Sequence, residues 1–496
     1  MLKECAAELA PGLTAIFRLS LSSGSLPSDW RDALISPVFK KGDIHQPCNY
    51  RPVSLTSVIC KQLEHIICRH ILKHLEGNNI LSSLNHGFRS GHSTETQLLT
   101  VTHDLLLSHD KKTQTDVIIL DFEKAFDTVP HSLLLHKLHL YGIEGPIHQW
   151  LTSFLTKRQM KVVVEGELSS SAAVTSGVPQ GTVLGPLLFL CHINDLPDVV
   201  KSQVRLFADD CVLYRQIRSQ RDHVKLQDDL SKLHDWACTW GMRFNATKCQ
   251  VMSIDQKSSH FYNIDGHILK HTPQEKYLGV TLSDDLKWSP HINNTTKKAS
   301  AVLGLLRRNL QFCPEQCKRT AYIALTRSIL EYGACVWDPY LQKDIDNLER
   351  VQRRALRFIT GDYTSRDPGS ITSMRQRLNL PTLASRRQVL KLSSFFKAVE
   401  GLVPGLPIES FLTRARPRRN IKIKQFENYK THNILERQVI NHEKGFKIHH
   451  CNTEQYKHSF FVSTPLAWNH LPPAVANSSS PEVFRSRIEQ SHHHYD

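Results

Sequence analysis

Apolar and polar positions along this chain follow two rhythms, and the switches between them mark its elements. Short unbroken apolar runs predict buried strands, whereas spacings of three and four predict helices with one buried stripe. Residues 117–120, 204–207 and 211–214 are runs of the first kind, and the last two are close enough to form a hairpin. Residues 159–165 alternate as a further strand. Residues 30–39 read as an edge strand, because Pro37 cannot donate to a ladder. Helical spacing is predicted over 3–20, 59–75, 94–108, 139–156 (broken at 142–146) and 187–193. Leu226, Leu230, Leu233, Ala237 and Trp240 mark another helix, ending at Gly241. From residue 289 the pattern becomes helical and basic, with helices expected over 292–310, 316–332, 344–359 and 379–397.

Candidate chemistry sits where the strands end. Asp209 and Asp210 lie between two apolar runs, in the turn of the predicted hairpin. Adjacent carboxylates repel and resist burial unless a cation neutralises them. Two other pairs, Asp228-Asp229 in a helical pattern and Asp284-Asp285 in a polar turn, read as solvated. Asp121 closes the run 117–120, so it faces Asp209 and Asp210 if the strands are neighbours. Three carboxylates on two strands make a hard oxygen cage suited to Mg²⁺. Paired divalent ions roughly 3.5–4 Å apart are how polymerases activate a 3′-hydroxyl and hold a triphosphate.

The strings LDFEKAFDTV, SGVPQGTVLGPLLFLCHINDL and FADD, in that order, resemble the palm motifs of reverse transcriptases. The nearest likeness is to non-LTR (LINE-type) retrotransposons of the CR1, L2 and jockey kind, and it runs from about residue 2 to 488. It implies an α+β right-hand fold: fingers, an antiparallel-sheet palm and a helical thumb, with a small C-terminal module. The expected boundaries are an N-terminal helical extension over 1–29, fingers over 30–110 and palm over 111–288, with a fingers insertion about 140–175. A thumb over 289–400 and a basic linker with the C-terminal module over 401–496 follow.

The same resemblance assigns roles. Asp121, Asp209 and Asp210 would hold two Mg²⁺ ions, with Mn²⁺ a possible substitute. Lys248 would protonate the leaving pyrophosphate or clamp its charge. Lys41 and Arg51 belong to fingers strings that cover the incoming nucleotide, and Arg89 would contact template or nucleotide phosphate. Phe126 stands at the steric-gate position, where an aromatic face leaves a ribose 2′-hydroxyl unsatisfied and favours dNTPs; core packing alone is the rival role. Gln180 and Gly181, in a Gly- and Pro-rich loop before an apolar helix, would touch the nucleotide or template base. Asp127 reads as a structural hydrogen-bonding residue. Residues 276–282 resemble the strand pair that grips the primer terminus.

Composition narrows the partners. The 496 residues carry a net charge of +15 with 40% hydrophobic content, which suits a cored protein that meets a polyanion. The expected partners are an RNA template, a DNA primer or target, and dNTPs. Arg307, Arg308, Arg350, Arg353 and Arg354 in the thumb helices are candidates to track a duplex backbone. A further basic stretch holds Arg414, Arg416, Arg418, Arg419, Lys422 and Lys424. The twelve cysteines are scattered, and Cys313 and Cys317 have no second ligand pair at zinc spacing. With no signal peptide and no run of about 18 apolar residues, no membrane role is expected, and the nucleus and cytoplasm are the expected compartments.

Two rivals stand beside the polymerase. A catalytically inactive nucleic-acid-binding relic would keep the basic grooves and lose the acid triad, but all three acids are present. A maturase-like splicing cofactor is disfavoured by residues 460–473, which resemble the terminal module of CR1-like elements. Family members also carry an upstream endonuclease domain, for which no stretch of this sequence is left over.

Overall fold

The computed structural model describes residues 3–415 and 440–492. Two sheets frame the site. Their strands are β1 (Ala33–Phe39), β2 (Tyr50–Leu55), β3 (Gln114–Leu120), β4 (Arg158–Val164), β5 (Glu167–Leu168), β6 (Ala172–Val174), β7 (Gln203–Phe207), β8 (Asp210–Ile217) and β9 (Gln250–Ile254). The first sheet runs β2-β1-β4-β5, with β6 also on β4. The second runs β9-β3-β8-β7 with every pair antiparallel, and Lys270–His271 adds a short parallel strand outside β9.

Strand β3 is an unbroken apolar run because the second sheet is covered on both faces. Side chains alternate across a strand, so Val117 faces one core with Val212 and Met252. Ile118 and Leu120 face the other with Leu213 and Val251. Helices Val58–Gly77, Leu184–Ile193 and Gln220–Thr239 cover this second face. The first face meets helix Thr94–Asp110 and the helices Ser289–Asn309, Gln342–Thr360 and Leu383–Val399. A palm-like sheet thus shares one core with a helical thumb.

The C-terminal residues enter that same core. Phe446, Phe460, Phe461, Trp468 and Phe484 are buried in it, and the Trp468 ring meets Phe395 edge-on at 5.4 Å. Asp110, at the end of helix Thr94–Asp110, accepts hydrogen bonds from Asn452 N (2.7 Å), Thr453 N (2.7 Å) and Thr453 Oγ1 (2.9 Å).

Several expectations shift. Strand β1 is not an edge: β2 and β4 flank it, but β4 pairs only with Ala33 to Ile35, so Pro37 lies past that ladder and faces Pro52 on β2. The helix expected over 316–332 contains a π-helical segment, Tyr322–Arg327, between Glu315–Ala321 and Ser328–Glu331. The last thumb helix starts at Leu383 and not near 379, because Thr382 caps it by accepting from Ser385 N at 3.1 Å. Asp229 is not solvated: it is 1% exposed and accepts from Lys201 N and Ser202 N. The basic stretch from Arg416 to Lys424 lies outside the described residues; Arg414 pairs with Glu409 at 3.1 Å. All twelve cysteines are free. Among the described residues no helix is long and apolar enough to cross a membrane.

Candidate active site

The register of the second sheet assembles the acids. Leu120 pairs with Cys211, so the next residue, Asp121, stands beside Asp210 as the two strands leave the ladder. Phe207 pairs with Asp210, which leaves Ala208 and Asp209 as the hairpin turn. The expected turn therefore moves by one residue, and Asp210 is the first residue of β8. Ala208 takes a left-handed φ of 55°, the conformation that primed hairpin turns demand.

Asn85 locks this turn from below, and sequence reasoning missed it. It is fully buried, and its Oδ1 accepts from Gly87 N at 3.0 Å and Ala208 N at 3.3 Å. Backbone bonds from His86 N to Leu206 O (3.0 Å) and from Leu206 N to Leu84 O (2.9 Å) stitch the same segment to β7. A methyl on Gly87 would lie 2.4 Å from Ala208 N, so only glycine permits this approach.

Asp209 and Asp210 are both held above the usual carboxylate range. Burial raises the carboxyl of Asp210 to about 6, with further push from Asp209 and Asp121. Asp209 is raised as well, first by burial and then, against its own backbone hydrogen bond, by Asp121. Both side chains reach water, yet they stand in a floor dense with protein, which is why desolvation leads. Lys40 and Arg51 oppose the shift at Asp209, and Lys40 opposes it at Asp210. The fingers lysine acting on the acids is thus Lys40, with Lys41 beyond it in the bend after β1. Lys40 N bonds Asn49 O at 2.8 Å, which holds it next to the β1–β2 ladder.

Lys248 meets the third acid directly, with Nζ 3.1 Å from Asp121 Oδ2. Its loop is anchored to the Asp121 segment by Asn245 N to Asp121 O (2.7 Å) and Glu123 N to Arg243 O (2.8 Å). Phe122 stacks on Phe244 at 4.2 Å. Among the described residues no three His, Cys, Asp or Glu side chains converge closely enough to hold a metal ion. The donor set still fits a hard divalent cation: three carboxylates share one end of two strands, and two are raised by burial and by one another's charge.

The remaining candidates separate into two groups. Phe126 stacks on Phe189 at 4.3 Å and meets Phe88 edge-on at 6.1 Å, leaving the ring half-buried. Gln180 Nε2 donates to Asp127 Oδ1 at 2.8 Å, and Gln180 O accepts from Ser54 N at 2.8 Å. Asp127 therefore does hold a structural hydrogen bond. Gly181 has φ 98°, and a methyl there would lie 2.7 Å from Ser54 O, so this loop is pressed against β2. Gln180, Asp127 and Lys124 line a cavity of about 970 Å³ whose opposite wall is Tyr50, Pro52 and Met160. Arg89 turns away: Nη1 donates to Ser82 O at 2.8 Å and Nε lies 3.9 Å from Glu76. One guanidinium nitrogen thus ties that loop.

The apolar helix after the loop is positioned by a buried acid. Glu64 is fully buried and accepts from Val183 N at 2.7 Å and Leu184 N at 3.0 Å, capping Leu184–Ile193 from a different helix. Its signal was present in the sequence, as one Glu on the apolar stripe of Leu63, Ile67 and Ile71.

A two-sheet hand with an acid-bearing hairpin at the end of its central strands defines a template-directed polymerase fold. Residues 38–282 match the family described as reverse transcriptase (RNA-dependent DNA polymerase). The chain is 29% identical over 434 residues to the Probable RNA-directed DNA polymerase from transposon BS of Drosophila melanogaster, covering 84% of this chain and 47% of that protein. It is 32% identical over 368 residues to the RNA-directed DNA polymerase from mobile element jockey of Drosophila funebris, covering 70% of this chain and 40% of that one. The chain thus spans less than half the length of these relatives. Among solved structures it is similar to apo telomerase from Candida tropicalis, with 12% identity and a TM-score of 0.42 over 77% of this chain and 67% of that one.

Proposed function

We propose that this chain synthesises DNA on an RNA template, extending a DNA 3′-hydroxyl with dNTPs during retrotransposition. The observation that carries the reading is that Asp121, Asp209 and Asp210 share one end of two paired strands, with Lys40 acting on Asp209 and Asp210 and Arg51 on Asp209. A divalent ion, Mg²⁺ in this reading, would be held by the three aspartates. It would supply a lowered pKa at the primer hydroxyl and neutralise charge on the departing pyrophosphate.

The chain's own residues do the rest. Lys40, Lys41 and Arg51 attract the triphosphate. Lys248, leaving Asp121, serves pyrophosphate as acid or charge clamp. Phe126, held by Phe189 and Phe88, offers an apolar face to the sugar and so excludes a 2′-hydroxyl. Gln180 faces the nucleotide or template base across the cavity it shares with Tyr50 and Pro52. In this reading residues 30–110 are fingers, 111–288 palm and 289–400 thumb.

The test is primer extension on an RNA template with dNTPs and Mg²⁺, comparing the wild-type chain with Asp209→Asn and Asp210→Asn. Extension by the wild type and its loss in both variants is expected. Tight primer–template binding without extension by the wild-type chain would overturn the catalytic reading.

A further inference from the structure

Away from the acids, four arginines from four segments converge on a cavity of about 230 Å³ in the helical thumb. Arg319 comes from Glu315–Ala321, Arg327 from the π-helical segment, Arg386 from Leu383–Val399 and Arg485 from the C-terminal helix Pro481–His492. We propose that this cavity is a phosphate-binding site, and that it takes a backbone phosphate of RNA.

Charge is the first reason. Arg386 pairs through two nitrogens with Glu331, and Arg327 lies 3.7 Å from that same carboxylate. Arg485 pairs with Glu489 at 2.9 Å. Arg319 spends its Nε on Leu378 O at 2.8 Å and has no acid partner in these pairings. Four guanidinium groups thus share two carboxylates, and two positive charges are left without a counter-charge. Burial, and then the charge of Arg386, pulls Arg327 below the usual arginine range. A bound anion would relieve that repulsion.

Shape is the second. The cavity is smaller than the roughly 300–1,000 Å³ of sites for drug-sized ligands, so it suits one charged group. Guanidinium forks match phosphate oxygens two at a time, and Ser385 and Asn379 add uncharged polar groups to the wall. Ile323, Pro381 and Val389 complete the lining. The third reason is the π-helical turn itself: such segments are rare, are retained mostly at functional sites, and this one ends on Arg327.

The site also gives the C-terminal helix a task, since Arg485 completes the ring from the far side of the thumb. A free phosphate and a backbone phosphate present the same oxygens, so the experiment separates them. Binding of a single-stranded RNA oligonucleotide to the full chain would be followed by fluorescence anisotropy over a salt series. Arg327→Gln and Arg485→Gln would be compared with Lys73→Gln, which removes one exposed charge elsewhere. A second arm would record thermal melting of each protein with and without inorganic phosphate. Both arginine variants are expected to bind RNA about 5–10-fold more weakly at moderate salt. Their log–log salt slope should fall by about 0.7 for the one lost phosphate contact, with Lys73→Gln unchanged. Unchanged slopes in the arginine variants, or an equal fall in Lys73→Gln, would overturn the proposal. Phosphate-dependent stabilisation of the wild type with no change in RNA slope would overturn the RNA assignment. Arg485, about half exposed on the rim, decides the matter alone if Arg327→Gln does not fold.

Discussion

The Lys248 ammonium stands 3.1 Å from Asp121 Oδ2, so the acid floor already carries one cation of its own. A divalent ion ligated by Asp121 must displace that ammonium, and the displaced lysine is then free to meet pyrophosphate. Lys248→Ala should lower the rate of extension about 10²-fold or more, the range of a lost general acid. It should also lower the Mg²⁺ concentration for half-maximal rate, because a competitor for Asp121 is gone. A Mg²⁺ titration of both proteins checks this; unchanged rate and midpoint would place Lys248 outside the chemistry.

The acid pair predicts a pH dependence of stability. Asp210 titrates near 6 in the folded chain, above the 3.8 of an unperturbed aspartate. A carboxyl raised on folding favours the protonated native state, so its contribution is greatest below about pH 4 and is lost as pH rises through 6. Asp210→Asn should therefore raise the melting temperature of the metal-free protein at pH 7.5 and leave it unchanged near pH 4. Mg²⁺ should stabilise the wild type at pH 7.5 more than at pH 5. Melting curves at the three pH values decide it, and a flat response would remove the account by burial and carboxylate repulsion.

Asn85 and Gly87 predict that the turn bearing the acids is held from outside its own hairpin. Gly87→Ala would push a methyl to 2.4 Å from Ala208 N. Overpacking of that kind costs about 1–3 kcal/mol, and relief by shifting the turn would misplace Asp209. Chemical denaturation should register that loss, and extension should fall at least 10-fold. Full activity in Gly87→Ala would show that the turn tolerates displacement.

Phe126 offers a selectivity test. Phe126→Ala opens the apolar face held between Phe189 and Phe88, so the ratio of dNTP to rNTP incorporation should fall about 10-fold or more. The lost aromatic stacking should cost about 0.5–1.5 kcal/mol beyond the buried area. Single-nucleotide incorporation with paired dNTP and rNTP substrates reads the ratio; if it stays constant, Phe126 is core packing only.

What the sequence made legible follows from how strongly each signal is written. Strand β3 and the 207–211 hairpin were readable because burial on both faces leaves continuous apolar runs, and the acids stand where those runs stop. The action of Lys40 on the acids was not readable, because both lysines lie past Phe39, where the chain leaves the strand and no periodicity orients them. Asn85 sits in a segment without periodicity, so nothing local distinguished it from a loop asparagine. The burial of Asp229 was discoverable: it lies three residues past Leu226 and four before Leu233, on the stripe that the helix buries. The π-helical turn left no mark, since one extra residue per turn barely disturbs the apolar spacing.

The C-terminal residues predict a last outcome. Asp110 is 5% exposed and its carboxylate takes four hydrogen bonds from Asn452 and Thr453, joining the strand-bearing half of the molecule to the segment that carries Trp468. Asp110→Ala removes the acceptor of two part-buried backbone N–H groups, at a cost of at most about 1–3 kcal/mol each. Helix Thr94–Asp110 and the thumb share a core with Phe460 and Phe461, so that cost should be felt by the whole chain. The melting transition should move down as one event, with no early separate step for residues 440–492. Differential scanning calorimetry would separate the cases: a single shifted peak is expected, whereas a new low-temperature peak would mean that the C-terminal segment folds as an independent unit.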